Sequence, residues 1–497
     1  MKKITRNSYI ITLILVLVFI VISDNTFASD TAKNIIVMIS DGCGYNQIDA
    51  TSLYQYGKTG SQVYESFPVK LAVSTYSIKK LDANGSYKER YDPDKAWKWF
   101  DYVKSGATDS AASATAMATG FKTYDSGIGV DANKKPLKNA NQRAKELGKA
   151  TGVVTSVQFS HATPAGFLAH NEARDKFVEI AQEMILDSKA NIIMGCGNPF
   201  FDNNGKLIST DNNYNYVGGE VVWNNIVNGA VDFDFNGDGT IDNSVEDCDG
   251  DGVPDPWLLI QDISDFQKLM DGDTPKRVMG VPKVFETLQN KRSAITDRDG
   301  NGKIEAIDGN YARKIYEDPF NSGVPSLKDM VSGALNVLDN DPDGFFVMIE
   351  GGTVDWAASA NSLPRLIEEE IEFNRAVETV VNWVEKKSSW DETLLIVTAD
   401  HETGYITGPG SGPDNDDLND SIKPIWNPLA NNGAGNLPGI WWHGGGHTNS
   451  LVPIFVKGNG SELFLKYADD NDPVRGAYID NTEIAKVIFD LLDKTNR

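Results

Sequence analysis

The stretch FFVMIEGGTVDWAAS, residues 345–359, decides how this chain is read. Its apolar run is too short for a helix that buries one stripe, and it suits a strand covered on both faces. The run ends in Glu350 and a glycine pair, and a second acid, Asp355, follows just before Trp356. Two carboxylates at the mouth of a buried strand are unusual enough to require an account from the rest of the sequence.

Similar short runs rich in β-branched residues occur at NIIVMIS (34–40), ATGVVTSV (150–157), ANIIMG (190–195), TLLIVTA (393–399) and LVPIFV (451–456). With GFFVMI (344–349) they read as buried parallel strands. Between them lie helical patterns, of which LPRLIEEEIEFNRAVETVVNWVEKK is the plainest. There Ile367, Ile371, Val377, Val381 and Val384 recur near helical spacing after an early proline. Alternating strands and helices predict an α/β fold, a mostly parallel central sheet with helices on both faces. The active site is expected beyond the carboxyl ends of the strands.

At 497 residues the chain can bury a large core, and its net charge of -24 disfavours nucleic acid and anionic membrane as partners through bulk charge. The N-terminus has Lys2, Lys3 and Arg6, an apolar stretch over 9–22 and small or polar residues leading to Ala28. This is a signal-peptide pattern over 1–28, too short to span a bilayer, and it predicts a secreted or periplasmic mature chain over 29–497 with no membrane span. Cys43, Cys196 and Cys248 allow at most one disulfide.

Residues 200–312 are rich in Asp, Asn and Gly and read as an insertion on the surface of the sheet domain. Within it DRDGNGKIEAID sets Asp297, Asp299, Asn301, Glu305 and Asp308 at the ligand positions of an EF-hand-like calcium loop, with Gly302 at the sharp turn. DFNGDGTID (234–242) and DCDGDGVPD (247–255) repeat its beginning without the closing acid.

Candidate chemistry sits at strand ends. Asp41 follows the first strand in SDGCGYNQ, and Asp400 and His401 are adjacent in TADHETG, a carboxylate and imidazole pair suited to zinc. Of five histidines, His161 in SHATPAGF, His401 and His447 in GGGHTNS all stand beside a strand or a glycine-rich turn, which together indicates a metal site. In GATDSAASATAMATG, Ser110 opens an alanine-rich helical segment after the capping candidates Thr108 and Asp109 and before the stop at Gly120. A hydroxyl there faces unpaired N–H groups and the positive end of the helix dipole, which favour an anion beside it.

The ordered set SDG, TDSAASATAMATG, SHATPA, EGGTVDW, TADHETG and GGGHTN resembles the alkaline phosphatase family. The resemblance implies a metal-dependent phosphate monoester hydrolase acting through a phosphoserine intermediate. It implies Ser110 as the nucleophile and Arg174, in HNEARD, as the clamp on the phosphoryl oxygens. It implies Asp41, Asp400 and His401 on one zinc, Asp41, Thr163 and Glu350 on magnesium, and Asp355 and His447 on a second zinc. His161 and Trp356 resemble residues that cold-active bacterial members place beside the substrate, and a homodimer, common among relatives, is left open.

One position departs from the family pattern: the residue four after Asp355, a zinc-binding histidine in the family, is Ser359. His443 is the nearest histidine by sequence that could compensate. Two alternatives follow, a phosphodiesterase of the same superfamily and a weakly active or inactive calcium-binding extracellular protein.

Overall fold

The computed structural model describes residues 31–78, 90–210, 212–296, 305–307, 312–413 and 423–494. The signal-peptide segment and, of the 297–308 calcium loop, Asp297, Asp299, Asn301 and Asp308 lie outside the described residues. Glu305 falls in a short strand, Glu305–Ile307, paired with Ala294–Thr296.

One eleven-stranded sheet organises the chain. Its strands are β1 (Asn34–Ser40), β2 (Val69–Ser74), β3 (Ala150–Gln158), β4 (Ile192–Cys196), β5 (Leu258–Ile260) and β6 (Val278–Gly280), followed by β7 (Phe345–Gly351), β8 (Thr393–Thr398), β9 (Val452–Gly458), β10 (Asp470–Asp472) and β11 (Gly476–Asp480). Across the sheet the order is β10-β11-β2-β9-β8-β1-β7-β3-β4-β6-β5. From β8 to β5 every neighbour pair is parallel. Every residue of β1, β3 and β7 is buried, as a sheet covered on both faces requires.

The helices that carry the argument are α1 (Tyr45–Tyr56), α2 (Ser110–Thr119), α3 (Ala162–Leu168), α4 (Phe177–Leu186), α5 (Leu327–Leu338), α6 (Thr353–Ser359), α7 (Leu363–Lys387) and α8 (Thr482–Lys494). One group, α5, α6 and α7 with α1, packs together, and a second, α2, α3 and α8, packs together; β7 touches members of both, so they cover opposite faces. The predicted stripe of α7 is buried. So, against the apolar periodicity, are Arg365, Glu368, Glu369 and Glu370. Arg365 and Arg292 pair with Glu368 at 2.8 and 2.7 Å, and Asp318 pairs with Arg365 at 2.6 Å.

Two expectations need correction. The strand at 451–456 is antiparallel: β9 runs against both β8 and β2. The chain leaves β8 at the carboxyl edge and returns through a small antiparallel pair, Glu402–Thr403 with His447–Thr448, so its next strand starts from that edge and must run back. The 200–312 segment also does more than ride on the surface, since β5 and β6 lengthen the sheet beyond β4. The three cysteines are buried and free. Among the described residues no helix is long and apolar enough to cross a membrane.

Candidate active site

The carboxyl edge of the parallel strands gathers the residues singled out above. Asp41 follows β1, Glu350 lies in β7, Asp355 stands in the first turn of α6, Asp400 and His401 follow β8, and Thr163 is in α3 after β3. His447 arrives on the short strand paired to Glu402–Thr403.

Ser110 is the first residue of α2. The Asp109 carboxylate caps that helix by accepting from Ala112 N at 3.0 Å, and Gly120 closes it with φ 81°, a left-handed value that glycine reaches without a Cβ penalty. All ten residues of α2 are buried, which its alanines allow. At Gly166 of α3 a Cβ would stand 2.8 Å from Ala114 Cβ, so the two helices meet almost backbone to backbone. This contact fixes Ser110 relative to Thr163 at the other end of the pair.

Three oxygens converge on one nitrogen. His401 Nε2 lies 3.3 Å from Ser110 Oγ, 3.1 Å from Asp400 Oδ2 and 3.5 Å from Asp41 Oδ1. A single ring N–H satisfies one of them, and neither Asp400 Oδ2 nor Asp41 Oδ1 is buried with a hydrogen bond of good geometry. Glu350 Oε1 is likewise buried without a partner, while its other oxygen accepts from Thr155 Oγ1. Thr163 Oγ1 reaches Asp41 Oδ2 at 3.5 Å. Orphaned carboxylate oxygens facing an imidazole and a hydroxyl form a donor set that fits cations: Asp41, Asp400 and His401 bring ligand atoms within 4.8 Å of one another, as do Asp355, His401 and His447.

The electrostatics agree. Burial, with Asp400, Asp355 and Glu350 nearby, raises Asp41 well above the ordinary carboxylate range. Burial also pushes Glu350 up to about 7. Asp355 and Asp400 are held low despite burial, Asp355 chiefly by its hydrogen bond to His447 and Asp400 chiefly by the charge of His401. The His447 imidazole, 3.3 Å from Asp355 Oδ1, is drawn up to about 9 by that carboxylate although burial opposes it. His447 Nδ1 lies 2.9 Å from Thr108 O, and the His401 and His447 rings stack at 3.6 Å. Arg174 Nη1 donates to Asp109 Oδ2 at 3.0 Å, so the residue that caps the helix opened by Ser110 also holds the guanidinium. His161 is lowered to about 3 by burial and by Arg174, and its ring meets Trp356 edge-on at 5.7 Å.

His443 is not brought to this cluster. Its Nε2 lies 2.7 Å from Thr407 Oγ1 and its ring packs on Phe100 and Tyr405. The glycines between His443 and His447 pass over the exposed end of α6, where a Cβ on Gly445 would meet Ser359 O at 2.8 Å. In the acidic loop at 247–255, Asp247, Asp249 and Asp251 draw together, and the Lys276 ammonium pairs with Asp249 and, at 3.2 Å, with Asp251.

Several supporting residues escaped the sequence. Thr403 Oγ1 donates to Asp355 Oδ1 at 2.6 Å and lies 3.3 Å from His401 Nδ1, linking the two clusters. Thr155 stands directly across from Glu350 in the β3–β7 register, a pairing visible only once the strands are aligned.

A profile of the alkaline phosphatase family matches residues 32–423. Alkaline phosphatase 3 of Bacillus subtilis (strain 168) is 26% identical over 93% of this chain and 89% of its own. Alkaline phosphatase of Escherichia coli (strain K12) is 26% identical over 76% of this chain and 71% of its own. Among solved structures, alkaline phosphatase from the Antarctic bacterium TAB5 superposes with a TM-score of 0.58 at 24% identity, covering 93% of this chain and 99% of that one. The enzyme of Thermus thermophilus gives 0.60 at 20% identity, covering 93% and 92%.

Proposed function

The chain belongs to the alkaline phosphatase family of metal-dependent hydrolases, and from that premise we propose that it hydrolyses phosphate monoesters through a phosphoserine on Ser110. The observation that carries the proposal is the convergence of Ser110 Oγ, Asp400 and Asp41 on His401 Nε2 at the N-terminus of α2.

Asp41, Asp400 and His401 would hold one zinc, Asp41, Thr163 and Glu350 a magnesium, and Asp355 and His447 a second and more weakly held zinc. Bound there, such cations supply Lewis-acid charge that offsets the dianion and favours the ionised hydroxyl. The chain's own groups do the rest. Arg174, braced by Asp109, clamps the phosphoryl oxygens in a planar fork. The α2 N-terminus offers N–H groups to the same anion. Ser110 Oγ attacks phosphorus, the ester P–O bond breaks, and the alcohol departs with a proton. Water then attacks the phosphoserine, releasing inorganic phosphate and restoring the hydroxyl, so that one hard displacement becomes two easier ones.

The rest of the reading follows the sequence: a signal peptide over 1–28 and export of one domain over 29–497, with calcium held in its 200–312 insertion by residues 297–308. The test is turnover of p-nitrophenyl phosphate by protein reconstituted with zinc and magnesium, beside Ser110→Ala. Chelator-sensitive turnover lost in the variant is expected, with bound metal retained in both proteins. Turnover that survives Ser110→Ala would refute the phosphoserine route.

A further inference from the structure

Five half-buried rings run in a chain away from the reacting centre. Trp356, next to Asp355, meets His161 at 5.7 Å; His161 stacks on Phe177 at 6.1 Å and an interplanar angle of 13°; Phe177 meets Tyr216 at 4.6 Å; and Tyr216 meets Phe285 at 5.6 Å. The near end is fixed to the site. His161 comes just before α3, two residues from Thr163, and the charges of Arg174 and Asp355 both bear on its ring. The far end lies on the inserted segment, where Ser160 Oγ donates to Tyr216 O at 2.9 Å and ties the two ends together. The Lys291 ammonium stands 5.6 Å from the Trp356 ring centroid at the rim.

These rings are not filling the core. Among the described residues, Phe177, Tyr216, Phe285 and Trp356 belong to neither hydrophobic cluster of the molecule and are not among the partly buried side chains packed against those clusters. Partly exposed aromatic rings outside the core can be approached by another ring, which stacks favourably in offset or edge-on geometry. A phosphoryl group held by Ser110 and Arg174 leaves its ester oxygen and leaving group to extend out of the site, and the aromatic wall starts at Trp356, next to Asp355 of that site.

We propose that the wall formed by Trp356, His161, Phe177 and Tyr216 is a leaving-group subsite that selects phosphate monoesters of aromatic alcohols and of nucleosides over those of aliphatic alcohols. The proposal rests on the monoesterase reading above and names the substrate class within it. Stacking on the wall is made in the ground state and the transition state alike, so it lowers KM and leaves kcat unchanged. Loss of one stacking ring weakens binding of a base or phenol by about tenfold, toward the low end of the range for base–aromatic contacts, as the rings are partly exposed.

The experiment compares kcat and KM of wild type, Tyr216→Leu, Phe177→Leu and Tyr216→Phe on phenyl phosphate, adenosine 5′-monophosphate and glycerol 2-phosphate. Each Leu variant is expected to raise KM for the two aromatic esters by about tenfold, with kcat and the glycerol ester unchanged, and Tyr216→Phe to behave as wild type. Equal losses on all three esters, or none, would overturn the subsite while leaving the phosphatase reading intact. If wild type hydrolyses no ester, the phosphatase reading falls, and calorimetric binding of adenosine 5′-monophosphate decides the wall separately. About tenfold weaker binding in Tyr216→Leu supports it, and equal affinity or no binding in wild type overturns it.

Discussion

Replacing Asp109 by Asn separates two jobs done by one carboxylate. Its Oδ1 accepts from Ala112 N at 3.0 Å and caps α2, while its Oδ2 accepts from Ser126 N at 2.9 Å and from Arg174 Nη1 at 3.0 Å. An Asn amide keeps one oxygen, and Asn caps helices about as well as Asp, so the cap survives and Ser110 stays at the head of its helix. The other atom becomes an N–H₂ facing two donors, and Arg174 loses a charge-assisted bond. Such bonds contribute about 1.5–3 kcal/mol, and the pair is only 24% and 19% exposed, so solvent screening takes off little; we take about 1.5–2 kcal/mol. At about 1.4 kcal/mol per factor of ten this predicts a fall of about 10–30-fold in kcat/KM for a phosphate monoester, and a similar loss in inhibition by inorganic phosphate. Chemical denaturation should show Asp109→Asn losing no more than the about 1.5–2 kcal/mol of the Arg174 bond, whereas Asp109→Ala should lose about a further 1 kcal/mol with the cap. The reasoning is refuted if Asp109→Asn keeps full kcat/KM, or if its activity loss merely tracks a loss of stability as large as that of Asp109→Ala.

Three other outcomes are expected. Gly166→Ala places a methyl 2.8 Å from Ala114 Cβ and should destabilise by about 1–3 kcal/mol through overpacking, read as a lower denaturation midpoint with an unchanged slope. Ser359→His sets an imidazole one helical turn from Asp355 on α6 and should raise zinc affinity at the Asp355 and His447 site, measured by competition with a chelating dye; unchanged affinity would count against it. Burial pushes Glu370 from its ordinary 4.5 up to about 7. The folded state therefore holds its proton more tightly, the resulting cost is absent below pH 4.5, grows through pH 7 and is full above it, and Glu370→Gln should outstabilise wild type by about 2–3 kcal/mol at pH 8 but not at pH 4.5.

The sequence announced those parts of the fold whose signal is local. β1, β3, β7 and β8 are short buried runs rich in β-branched residues, and the structure gives them nearly the predicted bounds. β2 was missed because VKLAVS carries the exposed Lys70 and is too short to stand out, and β5 and β6 have only three residues each. The direction of β9 depends on which edge the preceding connection leaves from, which no local pattern encodes. In α7 the valines and isoleucines were legible, but buried Glu368, Glu369 and Glu370 were not. Their partners, Arg292, Thr353 and Ser40, come from other segments and offset part of the cost of burying them.

The candidate site was legible for the same reason in reverse: Asp41, Asp400, His401 and His447 each sit beside a strand end or glycine turn, where structure alone gives little reason for them. What stayed hidden was support. Asp109 reads as a helix cap in the sequence, and only the fold brings Arg174 to its second oxygen. Thr403 looks like a residue of a short strand, and only the fold sets it between Asp355 and His401. His443 shows the limit of proximity in sequence: four residues from His447, it is turned by the glycine run toward Thr407.

Charge balance then ties the site to its substrate class. Asp41, Glu350, Asp355 and Asp400 crowd one strand edge, and Asp41 and Glu350 are raised first by burial and then by their carboxylate neighbours. On the reading proposed above, a phosphate dianion brought beside that edge would meet unlike charge at Arg174 and the histidines but four carboxylates as well, and like charges a few ångströms apart repel by several kcal/mol in a partly buried setting. The proposed reaction therefore needs added cations between chain and substrate, and the orphaned oxygens of Asp41, Asp400 and Glu350 would be their ligands. On the same reading Ser359 would leave the carboxylate Asp355 beside His447, so the part of the site that sets charge would be kept and only affinity and geometry loosened.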